Sequence, residues 1–323
     1  MLDLPTVDDI HAAVARLDGH AVRTPLLRSH VLDERVGGRV FLKAENLQRT
    51  GSFKFRGAFN AVTAYGERAR AGVVACSSGN HAQGVAAAAA IHGVPATIVM
   101  PSDAPRAKMD RTRRLGATVV EYERFVEDRT AIARAIAERD GAVFIHPYED
   151  PYVIAGQGTC GLEMAEQLCE ADAEPHAVLV CAGGGGLSAG VSLALRAAFR
   201  DVAVHLVEPE NFDDQRRSLD AGERVAIEPG HASICDAIVT DSPGERAFAI
   251  LRNHATGLTV SDGEALQAVA FAFDELKLVV EPGGAVALAA ILAGRVETRG
   301  RTLVATLSGG NIDPAVLRRA LDG

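Results

Sequence analysis

The chain of 323 residues contains no tryptophan, and aromatic residues make up only 5% of it, whereas hydrophobic residues reach 48%. This composition favours close packing of helices on sheets over an aromatic-rich β-sandwich. A disulfide framework is not expected either. The five cysteines form no C-x-x-C pair and their number is odd, which is typical of a protein in a reducing, cytosolic compartment.

Long basic runs and long apolar runs are also missing. Lys plus Arg number 33 against 42 Asp plus Glu, which gives a formal charge of −9. Nucleic acid and anionic membranes are therefore poor partners. The most apolar stretch, residues 85–100, is interrupted by His92, Gly93 and Pro95, and the first residues resemble no signal peptide. We expect a cytoplasmic protein without a membrane span.

Short hydrophobic runs alternate with helical segments along most of the chain. Strands are predicted at residues 40–43, 73–76, 96–100, 118–120, 143–145, 177–181, 202–207 and 303–307. This alternation is typical of parallel sheets with helices on both faces, so the predicted fold class is α/β. Residues 213–257 have weak periodicity and several Gly and Pro, and we expect them to be loop-rich.

The length suits one large α/β unit or two lobes. If there are two lobes, we place the boundaries near residues 62–72 and 146–151. Residues 1–62 and 151–323 would then form a large domain, and residues 72–149 a small one.

Four consecutive glycines, Gly183 to Gly186, separate a predicted strand from a helix that begins near Leu187. Unshielded backbone N–H groups and the positive end of a helix suit a phosphate. The pattern is also similar to the Rossmann dinucleotide fingerprint, with Glu208 as the acid about 20 residues further on. Ser188 stands where that fingerprint has its third glycine. A phosphate site is therefore predicted, and a nicotinamide cofactor stays open at this point.

Two further loops follow predicted strands. Residues 76–81, Cys-Ser-Ser-Gly-Asn-His, combine hydroxyls, an amide and the N-terminal donors of a helix, which suit a carboxylate. Residues 307–311 offer the hydroxyl of Ser308 beside two glycines. Lys54 lies between Phe53 and Phe55 near a helix start, where low polarity and the helix N-terminus favour a neutral, nucleophilic amine.

These motifs together resemble the fold-type II pyridoxal-phosphate enzymes of the serine/threonine dehydratase and serine racemase family. The resemblance extends over nearly the whole chain and depends on the order of its motifs, at residues 51–54, 77–83, 155–159, 183–186, 207–209, 280–285 and 308–311. It implies two lobes, each with a mainly parallel twisted sheet flanked by helices. It also implies pyridoxal 5'-phosphate bound by the large domain, and a homodimer.

The resemblance further implies roles for individual residues. Lys54 would hold the cofactor as a Schiff base and later move the α-proton of the substrate. Contacts to the cofactor would come from Phe53, Asn80, Gly183, Gly184, Gly185, Gly186, Leu187, Glu281 and Ser308. The substrate, an amino acid, would bind through its carboxylate at Ser77, Ser78, Asn80 and His81.

The implied reaction removes water from a small hydroxy-amino acid, in the first place L-threonine or L-serine, and yields a 2-oxo acid and ammonia. Ser78 leaves serine racemase activity open, because racemases of this group use a serine at this place as acid and base opposite the lysine. Arg129 could engage a second carboxylate, which would favour 3-hydroxyaspartate. Ser242 is a further candidate for substrate contact.

Glu208, the carbonyl of Phe212, and Asp214 match a divalent-cation site of the same family, and their oxygen ligands imply Mg²⁺ or Ca²⁺. This role of Glu208 competes with its role in a nicotinamide site. Two rival hypotheses therefore stand beside the lyase. One is a nicotinamide-dependent oxidoreductase, and the other is a non-catalytic protein that binds a ligand on this fold.

Overall fold

The structure is a computed structural model that describes residues 2–104, 106–124, 126–228 and 230–323. Its strands are β1 (Leu26–Arg28), β2 (Arg39–Ala44), β3 (Val73–Cys76), β4 (Ala96–Pro101), β5 (Thr118–Tyr122), β6 (Val143–Phe144), β7 (Ala177–Cys181), β8 (Ala203–Pro209), β9 (Ala255–Val260) and β10 (Thr302–Leu307). Its helices are α1 (Val7–Leu17), α2 (His30–Val36), α3 (Lys54–Tyr65), α4 (Asn80–His92), α5 (Arg106–Arg114), α6 (Arg129–Asp140), α7 (Pro151–Glu170), α8 (Gly186–Ala198), α9 (Asp214–Ala221), α10 (Glu245–Leu251), α11 (Asp262–Asp274), α12 (Pro282–Leu292) and α13 (Pro314–Leu321). None of these described helices is both long and apolar enough to cross a bilayer.

The strands form two sheets, with the order β1-β2-β10-β7-β8-β9 in the larger and β5-β4-β3-β6 in the smaller. Every neighbouring pair is parallel except β1 and β2. All residues of β7 and β10, which lie inside the larger sheet, are buried. Continuous burial is what strands covered by helices on both faces require. The predicted α/β fold class with mainly parallel sheets is confirmed.

The smaller sheet uses strands between residues 73 and 144, and the larger sheet uses strands before and after that segment. The division into a large domain, residues 1–62 and 151–323, and a small domain, residues 72–149, stays a prediction.

Residues 213–257 contain more regular structure than expected, namely α9, α10 and the beginning of β9. The α9 sequence is too polar for hydrophobic periodicity to reveal it. A contact from the end of the preceding strand, β8, forms its start instead, because the buried carboxylate of Glu208 accepts the backbone N–H groups of Gln215 and Arg216, both at 2.9 Å. The loop-rich prediction was therefore wrong for these elements, and the short strand β1 was also missed.

A buried cluster of charges joins β2, α3 and α7. Arg56 is 1% exposed and donates to Glu45 at 2.8 Å and to Glu163 at 2.7 Å. Lys43 is fully buried and donates to Glu163 at 2.6 Å. Burial alone would raise the pKa of Glu45, but the charge and hydrogen bonds of Arg56 outweigh it and lower that pKa. Two cations and two carboxylates thus neutralise one another where α3 begins.

Replacing Arg56 by methionine should destabilise the fold strongly, because Glu45 and Glu163 would keep their charges without their main partner. Breaking a buried pair in this way costs about 3–5 kcal/mol. Urea-induced unfolding measures the change. Arg139→Met is the matched surface control, since Arg139 pairs with the neighbouring Asp140 on an exposed helix end and with no other acid among the described residues. Equal stability of the two variants would contradict the role given to the cluster.

Candidate active site

One pocket lies where the ends of β3 and β7 meet the first turns of α3, α4 and α8. In parallel α/β sheets, ligands bind at the carboxyl ends of the strands. The pocket lining includes most of the residues predicted for cofactor and substrate, namely Phe53, Lys54, Ser77, Ser78, Asn80, His81, Arg129, Gly183, Gly184, Gly185, Gly186, Leu187 and Glu281. Segments far apart in the sequence therefore converge on one cleft.

The loop between β7 and α8 can follow its path only because it consists of glycines. A Cβ atom on Gly183 would lie 2.8 Å from the carbonyl oxygen of Ile238, and one on Gly184 would overlap the ring of Tyr148. Gly185 has a φ of +87°, which glycine adopts without the steric cost of a side chain.

The same loop offers donors without acceptors. The backbone N–H groups from Gly183 to Leu187 make no hydrogen bond to any residue that the structure describes. The carbonyls are held in place, because Gln215 Nε2 donates to Gly183 O at 2.7 Å and the N–H of Gly244 donates to Gly184 O at 3.0 Å. Free N–H groups at a helix N-terminus bind anions, so the loop suits a phosphate.

Lys54 begins α3, and its side chain lines the pocket. The amine Nζ donates to the carbonyl oxygen of Pro147 at 2.9 Å and lies 5.1 Å from the centre of the Phe53 ring. Burial lowers the pKa of Lys54 to about 8, because an ammonium ion is poorly solvated here. A useful fraction of the amine is therefore neutral near physiological pH and can act as a nucleophile.

Lysine is scarce in this chain, which has only Lys43, Lys54, Lys108 and Lys277. Lys43 belongs to the buried charge cluster, and Lys277 does not line the pocket. Lys108 lines the pocket but forms an ion pair with Asp236 at 2.6 Å. Among the described residues, Lys54 is thus the pocket lysine that no carboxylate holds.

The first turn of α4 supplies a second set of free donors. Its first three backbone N–H groups, on residues 80–82, find no acceptor within the described ranges. The hydroxyl of Ser77 accepts the N–H of Gly79 at 3.2 Å and keeps its own hydrogen for a ligand. The hydroxyl of Ser78 makes no hydrogen bond to another described residue. This turn can receive a carboxylate.

The ring of His81 is not a donor for that carboxylate. Its Nε2 lies 3.1 Å from the carbonyl oxygen of Ile145 and must carry the ring hydrogen, because a carbonyl only accepts. Burial, together with the charge of Lys54, lowers the pKa of His81 to about 3, so Nδ1 carries no hydrogen. His81 can therefore contribute its backbone N–H to an anion, but not its imidazole.

Ser308 is buried next to the pocket without lining it. Its carbonyl accepts the backbone N–H of Phe53 at 3.1 Å. Its side chain is near the thiol of Cys181, which does line the pocket, and opposes the rise of the pKa of that thiol. Burial raises the pKa of Cys181 to about 11, so this thiol stays uncharged. The polar groups contributed by these two residues beside Lys54 are therefore neutral.

Asn80 and Glu281 contact each other within the pocket. Asn80 Nδ2 donates to Glu281 Oε1 at 2.6 Å, and Asn311 Nδ2 donates to Asn80 Oδ1 at 2.8 Å. Burial raises the pKa of Glu281 to about 7, although the bond from Asn80 opposes this. The second hydrogen of Asn80 Nδ2 is left for a ligand.

Five predicted site residues lie outside the pocket lining, namely Ser308, Ser242, Glu208, Phe212 and Asp214. Ser242 lines a neighbouring groove that shares Tyr148 with the pocket, and its contact with substrate stays a prediction. Glu208, Phe212 and Asp214 lie away from the pocket, and both oxygens of Glu208 already cap α9. In the described part of the chain, no three or more His, Cys, Asp or Glu groups are arranged to hold a metal ion.

Several residues of the pocket lining were not predicted, among them Lys108, Pro147, Tyr148 and Asp236. Their types carry no motif, and they act through contacts between distant segments. The scarcity of lysine is the one signal in the sequence that could have drawn attention to Lys108.

Known proteins are similar to this chain over most of its length. The family described as "Pyridoxal-phosphate dependent enzyme" matches residues 17–309. A Pseudomonas sp. protein named L-threo-3-hydroxyaspartate ammonia-lyase is 46% identical over 314 residues, which cover 97% of each chain. Serine racemase of Schizosaccharomyces pombe is 41% identical over 314 residues, or 97% of this chain and 96% of that one.

A solved structure is also similar to this chain over nearly its whole length. The threonine deaminase of T.th. is 46% identical and superimposes with a TM-score of 0.91, over 96% of this chain and 99% of that chain. The family match removes the nicotinamide alternative. Pyridoxal phosphate needs a lysine that can act as a nucleophile and a binding site for its phosphate, and one pocket offers both. The chain belongs to the pyridoxal-phosphate dependent enzymes.

Proposed function

We propose that this enzyme removes water from a small hydroxy-amino acid, with L-threonine and L-serine as first candidates, and yields a 2-oxo acid and ammonia. The observation that carries the proposal is the position of the Lys54 amine in one pocket with two separate sets of free backbone donors. One set suits the phosphate of the cofactor, and the other suits the carboxylate of an amino acid. Relatives named ammonia-lyase and threonine deaminase support this reaction class.

The pocket residues fit pyridoxal 5'-phosphate. The unpaired N–H groups from Gly183 to Leu187 would hold its phosphate, and Phe53 would pack on its ring. The free hydrogen of Asn80 would bind the ring hydroxyl, and Ser308 would face the pyridine nitrogen. When bound, the cofactor accepts the negative charge that develops at the α-carbon as the α-proton leaves.

Lys54 would attach the cofactor covalently and later remove the α-proton from the substrate. Both tasks need a neutral Nζ with a free electron pair, and burial favours that form. The carbonyl of Pro147 accepts one amine hydrogen and thereby orients the electron pair. The neutral hydroxyl of Ser308, in place of a carboxylate, would leave the pyridine nitrogen less protonated, which suits elimination over transamination.

The substrate carboxylate would bind at the first turn of α4. Three backbone N–H groups and the hydroxyl of Ser77 form a compact set of donors there, and the helix N-terminus adds partial positive charge. Binding at this turn would place the amino group toward Lys54, which lies in the same pocket. The neutral ring of His81 avoids a competing charge at this position.

The attachment of pyridoxal phosphate to Lys54 should depend on pH with a midpoint near 8. A lowered lysine pKa means that the neutral amine predominates above that value, so the rate of reattachment to the stripped enzyme should rise with pH and then level off. Visible absorbance after mixing measures the rate, and Lys54→Ala is the control without attachment. A rate that still rises about tenfold per pH unit at pH 9, as for an ordinary lysine, would contradict this account.

A second candidate substrate is 3-hydroxyaspartate, which carries an additional carboxylate. Arg129, the first residue of α6, lines the pocket and forms no ion pair within the described ranges. An arginine without a partner beside the amino-acid site would pair with that carboxylate. Ser78 lines the same pocket and keeps racemisation open as a side activity.

A substrate panel decides between these candidates and tests catalysis itself. It compares L-threonine, L-serine, D-serine and the stereoisomers of 3-hydroxyaspartate, and it measures the 2-oxo acid and the inverted amino acid separately. If 3-hydroxyaspartate is a substrate, Arg129→Ala should lower its kcat/KM by about 10–100-fold, the value of a charged hydrogen bond, and spare L-threonine. Arg134→Ala, on the same helix but outside the pocket lining, is the control.

Equal losses for L-threonine and 3-hydroxyaspartate in Arg129→Ala would rule out the second carboxylate contact. Absence of turnover with every member of the panel, by an enzyme that binds the cofactor, would favour the non-catalytic hypothesis over the lyase.

A divalent cation, Mg²⁺ or Ca²⁺, would bind at Glu208, the carbonyl of Phe212, and Asp214. Both carboxylates are fully buried, and neither forms an ion pair within the described residues. In the part of the chain that the structure describes, the only side-chain donor to Asp214 is the hydroxyl of Thr240, at 3.4 Å from each carboxylate oxygen. A hard cation would offset the buried negative charge, with water completing its coordination.

Millimolar Mg²⁺ should therefore raise the thermal midpoint of the enzyme, and a chelator should reverse the rise. Saturation at 100 times Kd corresponds to about 2.7 kcal/mol of added stability. Asp214→Asn should abolish the response, whereas Glu210→Gln, at a neighbouring exposed carboxylate, should retain it. A midpoint that does not respond in the unaltered enzyme, or that still responds in Asp214→Asn, would exclude this site.

A further inference from the structure

Helix α3 begins at Lys54 without a side-chain cap from its own sequence. Phe55 and Arg56 donate their N–H groups to the carbonyls of Ser52 and Phe53, at 3.4 and 3.0 Å. The next donor, Gly57 N–H, is taken up by a side chain 100 positions away in the chain, because Oε1 of Gln157 accepts it at 3.1 Å. The turn that carries the catalytic lysine is thus completed by a residue of α7.

Glycines bring α7 into backbone contact with this turn. A Cβ atom on Gly57 would lie 2.7 Å from the carbonyl oxygen of Val153, and one on Gly156 would lie 2.7 Å from the carbonyl oxygen of Arg56. Any side chain at either position would push the two helices apart. Close packing at these two points therefore keeps Gln157 within reach of Gly57.

The opposite side of the same turn is also tightly packed. A Cβ atom on Gly84 of α4 would lie 3.1 Å from the carbonyl oxygen of Lys54. The turn is held between α4 and α7, and the segment that leads into α7 supplies the acceptor for the lysine amine, Pro147 O at 2.9 Å. A shift of α3 relative to α7 would therefore separate Nζ from Pro147.

Gln157 uses only one of its polar atoms. Its side chain is 1% exposed, and Nε2 has no hydrogen-bond partner in the described part of the chain. Leaving a buried amide donor unpaired is unfavourable. The contribution of Gln157 therefore lies in its carbonyl oxygen. The residue belongs to the 155–159 motif, and contacts to cofactor or substrate do not explain that motif.

We infer that Gln157 is a positioning residue for Lys54: by accepting the N–H of Gly57, it keeps the lysine amine at Pro147 and in line with the cofactor and the α-carbon. This inference rests on the proposed function. Gln157 touches no reacting atom, so its loss should affect the step that Lys54 performs and leave substrate binding at α4 intact.

Gln157→Met keeps the size of the side chain and removes the acceptor. In the holoenzyme acting on its best substrate, kcat should fall about tenfold, the equivalent of one hydrogen bond, while KM stays within about twofold. The pH midpoint for cofactor attachment should move upward, toward that of an ordinary lysine, as the amine leaves its desolvated position. Gln157→Glu keeps an acceptor oxygen and, as a protonated carboxyl in this buried position, should hold kcat within about threefold of that of the unaltered enzyme.

Gln167→Met is the matched control on the same helix. Gln167 accepts from Lys43 at 2.9 Å and donates to the carbonyl of Thr24 at 3.0 Å, and neither partner belongs to α3. The Gln167→Met enzyme should therefore lose thermal stability and keep its kcat. Gln157→Asn, which withdraws the acceptor by about one bond length of 1.5 Å, replaces Gln157→Met if the latter does not fold.

Unchanged kcat in the folded Gln157 variants would overturn the inference, and so would a loss of kcat that Gln167→Met shares. Failure of Gln157→Glu to restore kcat would overturn it as well. These results are distinct from failure of the proposed function, in which the unaltered enzyme would bind no pyridoxal phosphate or turn over no hydroxy-amino acid.

Discussion

The Lys54 amine is useful only if it is both desolvated and held in place, and these two demands shape the surrounding structure. Desolvation lowers the pKa of Lys54 to about 8, but a partly buried amine without fixed neighbours would turn toward water. The carbonyl of Pro147, the neighbouring helices and the bond from Gln157 restrain it. The charged cluster around Arg56, two residues after the lysine, ties the same helix to the end of β2 and to α7. Rigid packing around α3 therefore accompanies the nucleophile.

Backbone dipoles carry most of the anion binding that this site requires. The chain has a formal charge of −9, and the cationic side chains of the pocket besides Lys54 are Arg129 and Lys108, the latter already paired with Asp236. The free N–H groups at the starts of α8 and α4 take the place of positive side chains. Uncharged donors leave the pKa of a nearby lysine less depressed than cations would. Arg129 forms no ion pair with any residue that the structure describes, and its proposed role in choosing the substrate depends on that.

Local sequence was sufficient for the features that depend on local geometry. The glycine loop, the α4 turn and Lys54 were predicted as site residues because their residue types carry the chemistry, and their roles stay predictions. Eight strands were predicted close to their observed positions. Contacts between distant segments could not be predicted. Pro147 binds the amine of Lys54, and Gln157 binds the turn that carries it, each from about a hundred positions away. The tautomer of His81 depends likewise on Ile145. In each case a common residue type acquires its role from the fold.

The most direct test is to locate the lysine that binds pyridoxal phosphate. Reduction of the holoenzyme with borohydride followed by peptide mass spectrometry would mark it permanently, and with four lysines in the chain the assignment is unambiguous. The account predicts the label on Lys54 alone. Label on Lys108, which lines the same pocket but is paired with Asp236, or no label on either lysine, would contradict it.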